Sequence, residues 1–213
     1  MRDFIAERWT HILADSWQHL SLVVQCLILA TIIGVVCAAL SYQHPRLAAL
    51  ANNVSTVGLT IPSFALVGIL IIPFGFGVLP AVIVVTFFAT LPILRNAVVG
   101  LSEVDSNTVS AARGIGMSRI DTFFRVELPL AWPVILAGMR VSAQMTMGIA
   151  AVAAYALGPG LGGYIFSGLS RLGGANSFES VATGVIAVVI LALLLDLALI
   201  LLGRFTISRG IRV

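Results

Sequence analysis

Long apolar runs alternate with short polar intervals along this chain, and the alternation predicts five membrane-spanning helices. The runs cover about residues 18–41, 47–72, 78–101, 131–157 and 179–202. Each is long enough for the roughly 20 residues that cross the hydrocarbon core of a bilayer. The expected fold class is an all-α integral membrane protein. Residues 1–17 are polar and mixed in charge, with Trp9 and Trp17 suited to a membrane interface, and are expected to lie on the membrane as a short helix. Residues 206–213 close the chain as a tail carrying Arg209 and Arg212.

The runs are not uniformly apolar. The second holds Asn52, Asn53, Ser55, Thr56, Thr60 and Ser63, with Pro62 in its middle. A proline there removes a backbone hydrogen bond and is expected to kink the helix. Two readings of the polar residues stand: a face turned to water, or hydrogen bonds between packed helices. Arg95 and Asn96 close the third run, near enough to its end to snorkel. The stretch GPGLGG at 158–163 formally fits GxGxxG but follows a membrane helix instead of a strand, which removes the dinucleotide reading and leaves a re-entrant or gate-like turn.

Between the third and fourth runs, residues 110–129 form a long charged interval, with Arg113, Arg119, Arg125, Asp121 and Glu127 among small residues. Met117, Ile120, Phe123 and Phe124 recur at helical spacing, so one face of a short helix is apolar. Such a helix is either an interfacial float or a plug for a partner's groove.

Composition narrows the class. The chain is 59% hydrophobic and 10% charged, with a mean hydropathy of +1.08, and a soluble domain of this size could not cover that surface. Its twelve basic residues are all arginine. The absence of lysine excludes a GxxxxGK[ST] phosphate loop and Schiff-base chemistry, so any ATP must be hydrolysed by another subunit. Cys26 and Cys37, eleven residues apart on one helix, stand roughly 16 Å from each other and read as packing residues. His11, His19 and His44 lack metal-ligand spacing and read as surface or interfacial. No metal, cofactor or catalytic cluster is expected, and nothing points to nucleic acid.

The arginines also orient the chain. With the N terminus outside, Arg46, Arg113, Arg119, Arg125, Arg204, Arg209 and Arg212 lie inside, against Arg2, Arg8 and Arg171 outside. The loop 102–130 is then cytoplasmic and the C terminus inside. Asp196 and Arg140 both fall roughly 10 Å inside the inner surface. A buried ion pair of Asp196 with Arg140 or Arg95 is expected, because an unpaired carboxylate there is costly.

The central interval resembles the EAA loop of permease subunits in binding-protein-dependent ABC importers. The pattern is EAA, three residues, Gly, nine residues, then I-x-L-P. Here it reads Ser110-Ala111-Ala112, Gly116 and Val126-Glu127-Leu128-Pro129, with serine for the first glutamate and valine for the isoleucine. TIPSFAL at 60–66, LPILRN at 91–96, VELPLAWPVILAGMR at 126–140 and GPGLGG with the downstream IFSGL resemble the osmoprotectant branch, which imports glycine betaine, choline and carnitine. The resemblance spans about residues 18–205. It implies the type I importer fold, with a methionine-permease-like core in the bacterial inner membrane. It further implies a second permease subunit, identical or paralogous, two cytoplasmic ATPases that use ATP and magnesium, an extracytoplasmic binding protein and surrounding lipid. In the family the loop folds as two short helices, one docked on the ATPase. The residues implied for coupling are Ser110, Ala111, Ala112, Gly116, Met117, Ser118, Arg119, Ile120, Asp121, Phe123, Phe124, Leu128 and Pro129.

A quaternary ammonium ion is usually held by aromatic rings. The spans hold few, and the sequence shows no recognisable cage, so the selective site is expected on the binding protein. Asn52, Asn53, Thr56, Thr60, Ser63, Gln144 and Thr146 are candidates for the translocation path, although each by itself fits helix packing better than pore lining. Alternatives are an importer of another small nutrient such as an amino acid, or a self-contained secondary transporter. Against the latter, no internal repeat is evident, and only Asp196 resembles a midplane ionisable group. An enzyme is disfavoured because no nucleophile has a base nearby.

Overall fold

The computed structural model describes residues 1–156 and 158–207; Leu157, Arg209 and Arg212 lie outside the described residues. Among the described residues nine α-helices follow in chain order: α1 (Arg2–Ser41), α2 (Pro45–Gly58), α3 (Ser63–Phe74), α4 (Val78–Ser102), α5 (Ser106–Gly114), α6 (Arg119–Thr122), α7 (Leu128–Ala153), α8 (Gly162–Leu169) and α9 (Ser177–Thr206). Four stretches of these are long and apolar enough to span a membrane: α1, α4, α9 and the 38-residue Arg119–Ala156. The bent α2–α3 pair, taken together, is also long and apolar enough, which brings the candidate spans to five.

The core is the α4–α7 pair with α1 laid across both. Close approach is set by small residues. A Cβ on Gly34 of α1 would stand 2.9 Å from an Ile93 methyl, and one on Gly138 of α7 would stand 2.8 Å from the Asn96 Cβ of α4. With no water to expel between helices in lipid, such contacts supply the packing. Ser142 donates to the Ala89 carbonyl at 2.7 Å, tying α7 to α4. By contrast, α9 packs on α7 and α8 along one stripe and exposes Val185, Val189, Leu193 and Leu197.

The structure departs from the sequence reading at four places. Residues 1–17 are no separate interfacial helix: α1 runs unbroken for 40 residues, roughly 60 Å, since neither proline nor glycine interrupts it before Gly34. Its start meets α9, where Thr183 approaches Met1 and the N-terminal amine lies 3.8 Å from Glu179. The second span is not one kinked helix but two helices bent by 93°. Ile61 precedes Pro62 and is steered out of the helical region, and Pro62 becomes the N-cap of α3. The interval 102–130 is largely helical, and α6 continues through a π-helical turn, Phe123–Glu127, directly into α7. The helix that contains the fourth apolar run thus begins within the charged interval, ahead of Ala131. Finally, His19 is fully buried, its Nε2 3.1 Å from the Met147 carbonyl, and Gly160 (φ +108°) closes over it. Cys26 is buried as a packing residue, whereas Cys37 is exposed.

Candidate functional site

The EAA-like segment folds as two short helices joined at Gly116. Asp105 caps α5 by accepting the Asn107 N–H at 3.0 Å, and α5 ends at Gly114. Gly116 adopts φ +94°, a region that costs a side-chain-bearing residue roughly 1–2 kcal/mol, and so turns the chain. Ser118 then caps α6: its Oγ accepts the Asp121 N–H at 3.1 Å while its hydroxyl donates to the Asp121 carboxylate. Arg125 follows one turn on, 3.7 Å from Asp121.

Burial sorts the candidate coupling residues into two sets. Ser110, Ala111, Gly116, Ser118, Arg119, Ile120, Phe124 and Pro129 are exposed; Met117, Asp121, Phe123 and Leu128 are half-buried, and Ala112 is buried. Phe123 and Leu128 face the core. The apolar side chains left to meet another surface are Ile115, Ile120 and Phe124, at 82%, 71% and 61% exposure.

A network that the sequence did not single out fixes this segment to the membrane helices. Glu127 is 3% exposed, accepts the Tyr42 hydroxyl, and lies 4.0 Å from the Arg113 guanidinium. Gln43 donates to the Tyr42 oxygen at 2.6 Å and accepts from Arg119 at 2.6 Å. The end of α1, α5, α6 and the start of α7 therefore meet at one carboxylate. Burial first, then the hydrogen bond to Glu127, holds the Tyr42 phenol above its usual range, so it remains a donor. Only the borders of two apolar runs, 85 residues apart, hinted at this junction. A cleft of about 430 Å³ opens beside it, between Leu40, Tyr42, Ile120 and Phe124.

The other candidate feature is the side of the α4–α7 pair away from α1. Going round α7, Arg140 faces α9 and Gly138 faces α4. Between them Ala137, Val141, Gln144 and Gly148 are exposed at helical spacing, forming one open stripe. Arg95 and Val99 are exposed on the adjoining strip of α4. Asp196 is held by Arg140 through two bonds, 2.8 Å to Nε and 3.0 Å to an Nη, and interacts with Gln144. Among the described residues Arg95 forms no ion pair. The Arg140–Asp196 pair is not enclosed by this chain: its side chains are 40% and 17% exposed on the flank of the stripe.

The expected path residues divide likewise. Gln144 lies on the open stripe, Asn53, Thr56 and Thr60 are exposed, and Asn52 and Ser63 are half-buried around the break in the second span. Thr56 and Thr60 return their hydroxyls to their own backbone. Thr146 faces the core, donates to Ser142 at 2.6 Å and lines no open surface.

Residues 30–207 match the family described as binding-protein-dependent transport system inner membrane component. The chain is 36% identical to the carnitine transport permease protein OpuCB of Listeria monocytogenes, over 92% of this chain and 88% of that protein. It is 37% identical to the osmoprotectant import permease protein OsmW of Salmonella typhimurium, over 92% of each. Against the glycine betaine/carnitine/choline transport system permease protein OpuCB of Bacillus subtilis the identity is 32%, over 100% of this chain and 96% of that one. In fold it is similar to a chain of the MetNI methionine ABC transporter in an inward-facing conformation, with a TM-score of 0.74 and 20% identity, covering 92% of this chain and 96% of that one.

Proposed function

This chain belongs to the family of binding-protein-dependent transport system inner membrane components, and from that premise we propose that it is the permease subunit of an ATP-driven importer for osmoprotectants: glycine betaine, choline and carnitine. The observation that carries the solute class is the near full-length identity to permeases named for such solutes. Two permease subunits, identical or paralogous, enclose the path. Two cytoplasmic ATPases bind ATP and magnesium, and an extracytoplasmic protein delivers the solute. The N terminus is outside and the C terminus inside, in accord with the arginine distribution.

The mechanism follows from the rigidity of one element. Ile115, Ile120 and Phe124 seat in a cleft of the ATPase. Because α6 runs without a loop into α7, displacement of that contact moves Arg119–Ala156 as one rod of 38 residues. The Glu127 junction makes α1 move with it. Helix α7 carries the open stripe, so closure of the ATPases re-aims the transport face. The permease supplies no chemistry and switches between two states.

The test is copurification and uptake. An ATPase expressed with the chain is expected to copurify, and to be lost when Ile120→Asp and Phe124→Asp are combined. Vesicles holding the whole complex are expected to accumulate labelled betaine, choline or carnitine, with methionine left outside. Accumulation of methionine alone would transfer the chain to an amino-acid importer. Accumulation by the chain without any ATPase would make it a secondary transporter.

A further inference from the structure

Three aromatic rings from distant parts of the sequence meet at the end of α7 remote from the EAA-like segment. Phe64, in the first turn of α3, lies 4.9 Å from Tyr155 between ring centroids, tilted by 56°. Phe166, on α8, lies 5.7 Å from Tyr155, tilted by 57°. Phe64 and Tyr155 are 50% and 49% exposed. Tyr155 occupies the turn that follows α7, eighteen residues beyond Ala137 and seven beyond Gly148, so it prolongs the open stripe that carries Gln144.

We infer that Phe64, Tyr155 and Phe166 form a receiving station for the quaternary ammonium group of the solute, at the outer mouth of the transport face. The inference rests on the proposed solute class and adds a site within this subunit. A trimethylammonium group has no N–H to satisfy, so an aromatic surface replaces its water at little cost, and the ring quadrupoles attract its charge. Tyr155 lies within 5.7 Å of both other rings, so the three offer one contiguous aromatic surface to a cation, whose attraction operates within roughly 6 Å of a ring centroid. About half of the Phe64 and Tyr155 surface is open, with Phe166 half-buried beside Tyr155. A belt of interfacial aromatics would place single rings around the circumference. Here Tyr155 touches both Phe64 and Phe166, at the head of a stripe that also bears a polar group, Gln144. The rings are too few and too open for tight capture, which suits a station that must pass its solute on.

The experiment uses the transporter assembled with its ATPase and purified without the external binding protein. Tyr155→Trp places a fluorophore in the cluster, and the signal is read as the difference from the parent protein, which carries three tryptophans of its own. Tetramethylammonium is expected to quench that difference signal saturably, while neopentyl alcohol, a neutral water-soluble molecule of similar bulk, does not. In the whole complex with binding protein, Phe64→Leu or Tyr155→Leu is expected to lower betaine and choline uptake by about 3- to 30-fold, the range set by loss of one cation–π contact. Tyr155→Phe keeps the ring and is expected to lower uptake less than Tyr155→Leu does. Equal quenching by the neutral probe, or full uptake by the Phe64→Leu/Tyr155→Leu double variant, would overturn the assignment. Should the parent complex carry no quaternary amine, the proposed solute falls. The tetramethylammonium titration then decides the station alone, by quenching or its absence.

Discussion

Removing one hydroxyl should loosen the link between the EAA-like segment and the first helix. Tyr42 donates to a carboxylate that is 3% exposed, and Tyr42→Phe deletes that donor while keeping the ring in place. A hydrogen bond to a charged acceptor contributes about 1.5–3 kcal/mol. That amounts to roughly a 10- to 100-fold shift in the equilibrium for undocking of the junction. Arg113 is the control: it faces the same carboxylate at 4.0 Å but is 47% exposed, so Arg113→Ala should cost only about 0–1 kcal/mol. Hydrogen exchange of the backbone amides at 118–127 in the reconstituted complex measures the local opening. The ratio of solute imported to ATP hydrolysed measures its consequence. Tyr42→Phe should speed exchange by the stated factor and lower the transport ratio, with Arg113→Ala close to the parent. The reasoning is refuted if Arg113→Ala has the larger effect, or if Tyr42→Phe changes neither quantity.

Other perturbations test separate parts of the structure. Because the folded-state pKa of Tyr42 is raised, its contribution is fully present below the ordinary phenol value of about 10 and is lost as pH rises through the higher folded value; the difference in exchange between parent and Tyr42→Phe should therefore be constant from neutral pH to about 9 and vanish in stronger alkali. A Cβ at Gly116 meets no atom within 4 Å, but Gly116→Val forces a branched residue to φ +94°. The subunit should insert normally while the import-to-hydrolysis ratio falls by roughly tenfold, about 1.4 kcal/mol of coupling free energy; undiminished uptake would refute this. Gly160→Ala would bring a Cβ within 2.7 Å of the His19 Cβ at φ +108°, and should lower stability by about 2–4 kcal/mol, read as a reduced thermal midpoint in detergent. Asp196→Asn strands Arg140 in an apolar span and should reduce assembled transporter several-fold in membranes; exchange of the two residues, Arg140→Asp with Asp196→Arg, should restore the amount. If the exchanged pair restores nothing, the interaction is more than mutual neutralisation.

Much of this protein follows from one-dimensional pattern. Apolar runs of fixed length have few ways to satisfy their backbone in lipid, so the all-helical class was readable directly. The caps at Asp105 and Ser118, and the bend at Gly116, are local chemistry and were equally within reach. The solute class came from resemblance and not from any visible cage. Three-dimensional packing decided what depends on residues far apart: Glu127 finds Tyr42 across 85 positions, and Phe64, Tyr155 and Phe166 meet only once α3, α7 and α8 are packed. It also decided which polar residues are open: Gln144 and Thr146, two apart on one helix, face opposite environments because an α-helix turns about 100° per residue. Hydropathy reports how apolar a segment is. Which of its sides meets a neighbour is fixed by helix packing, and no window along the chain contains that information.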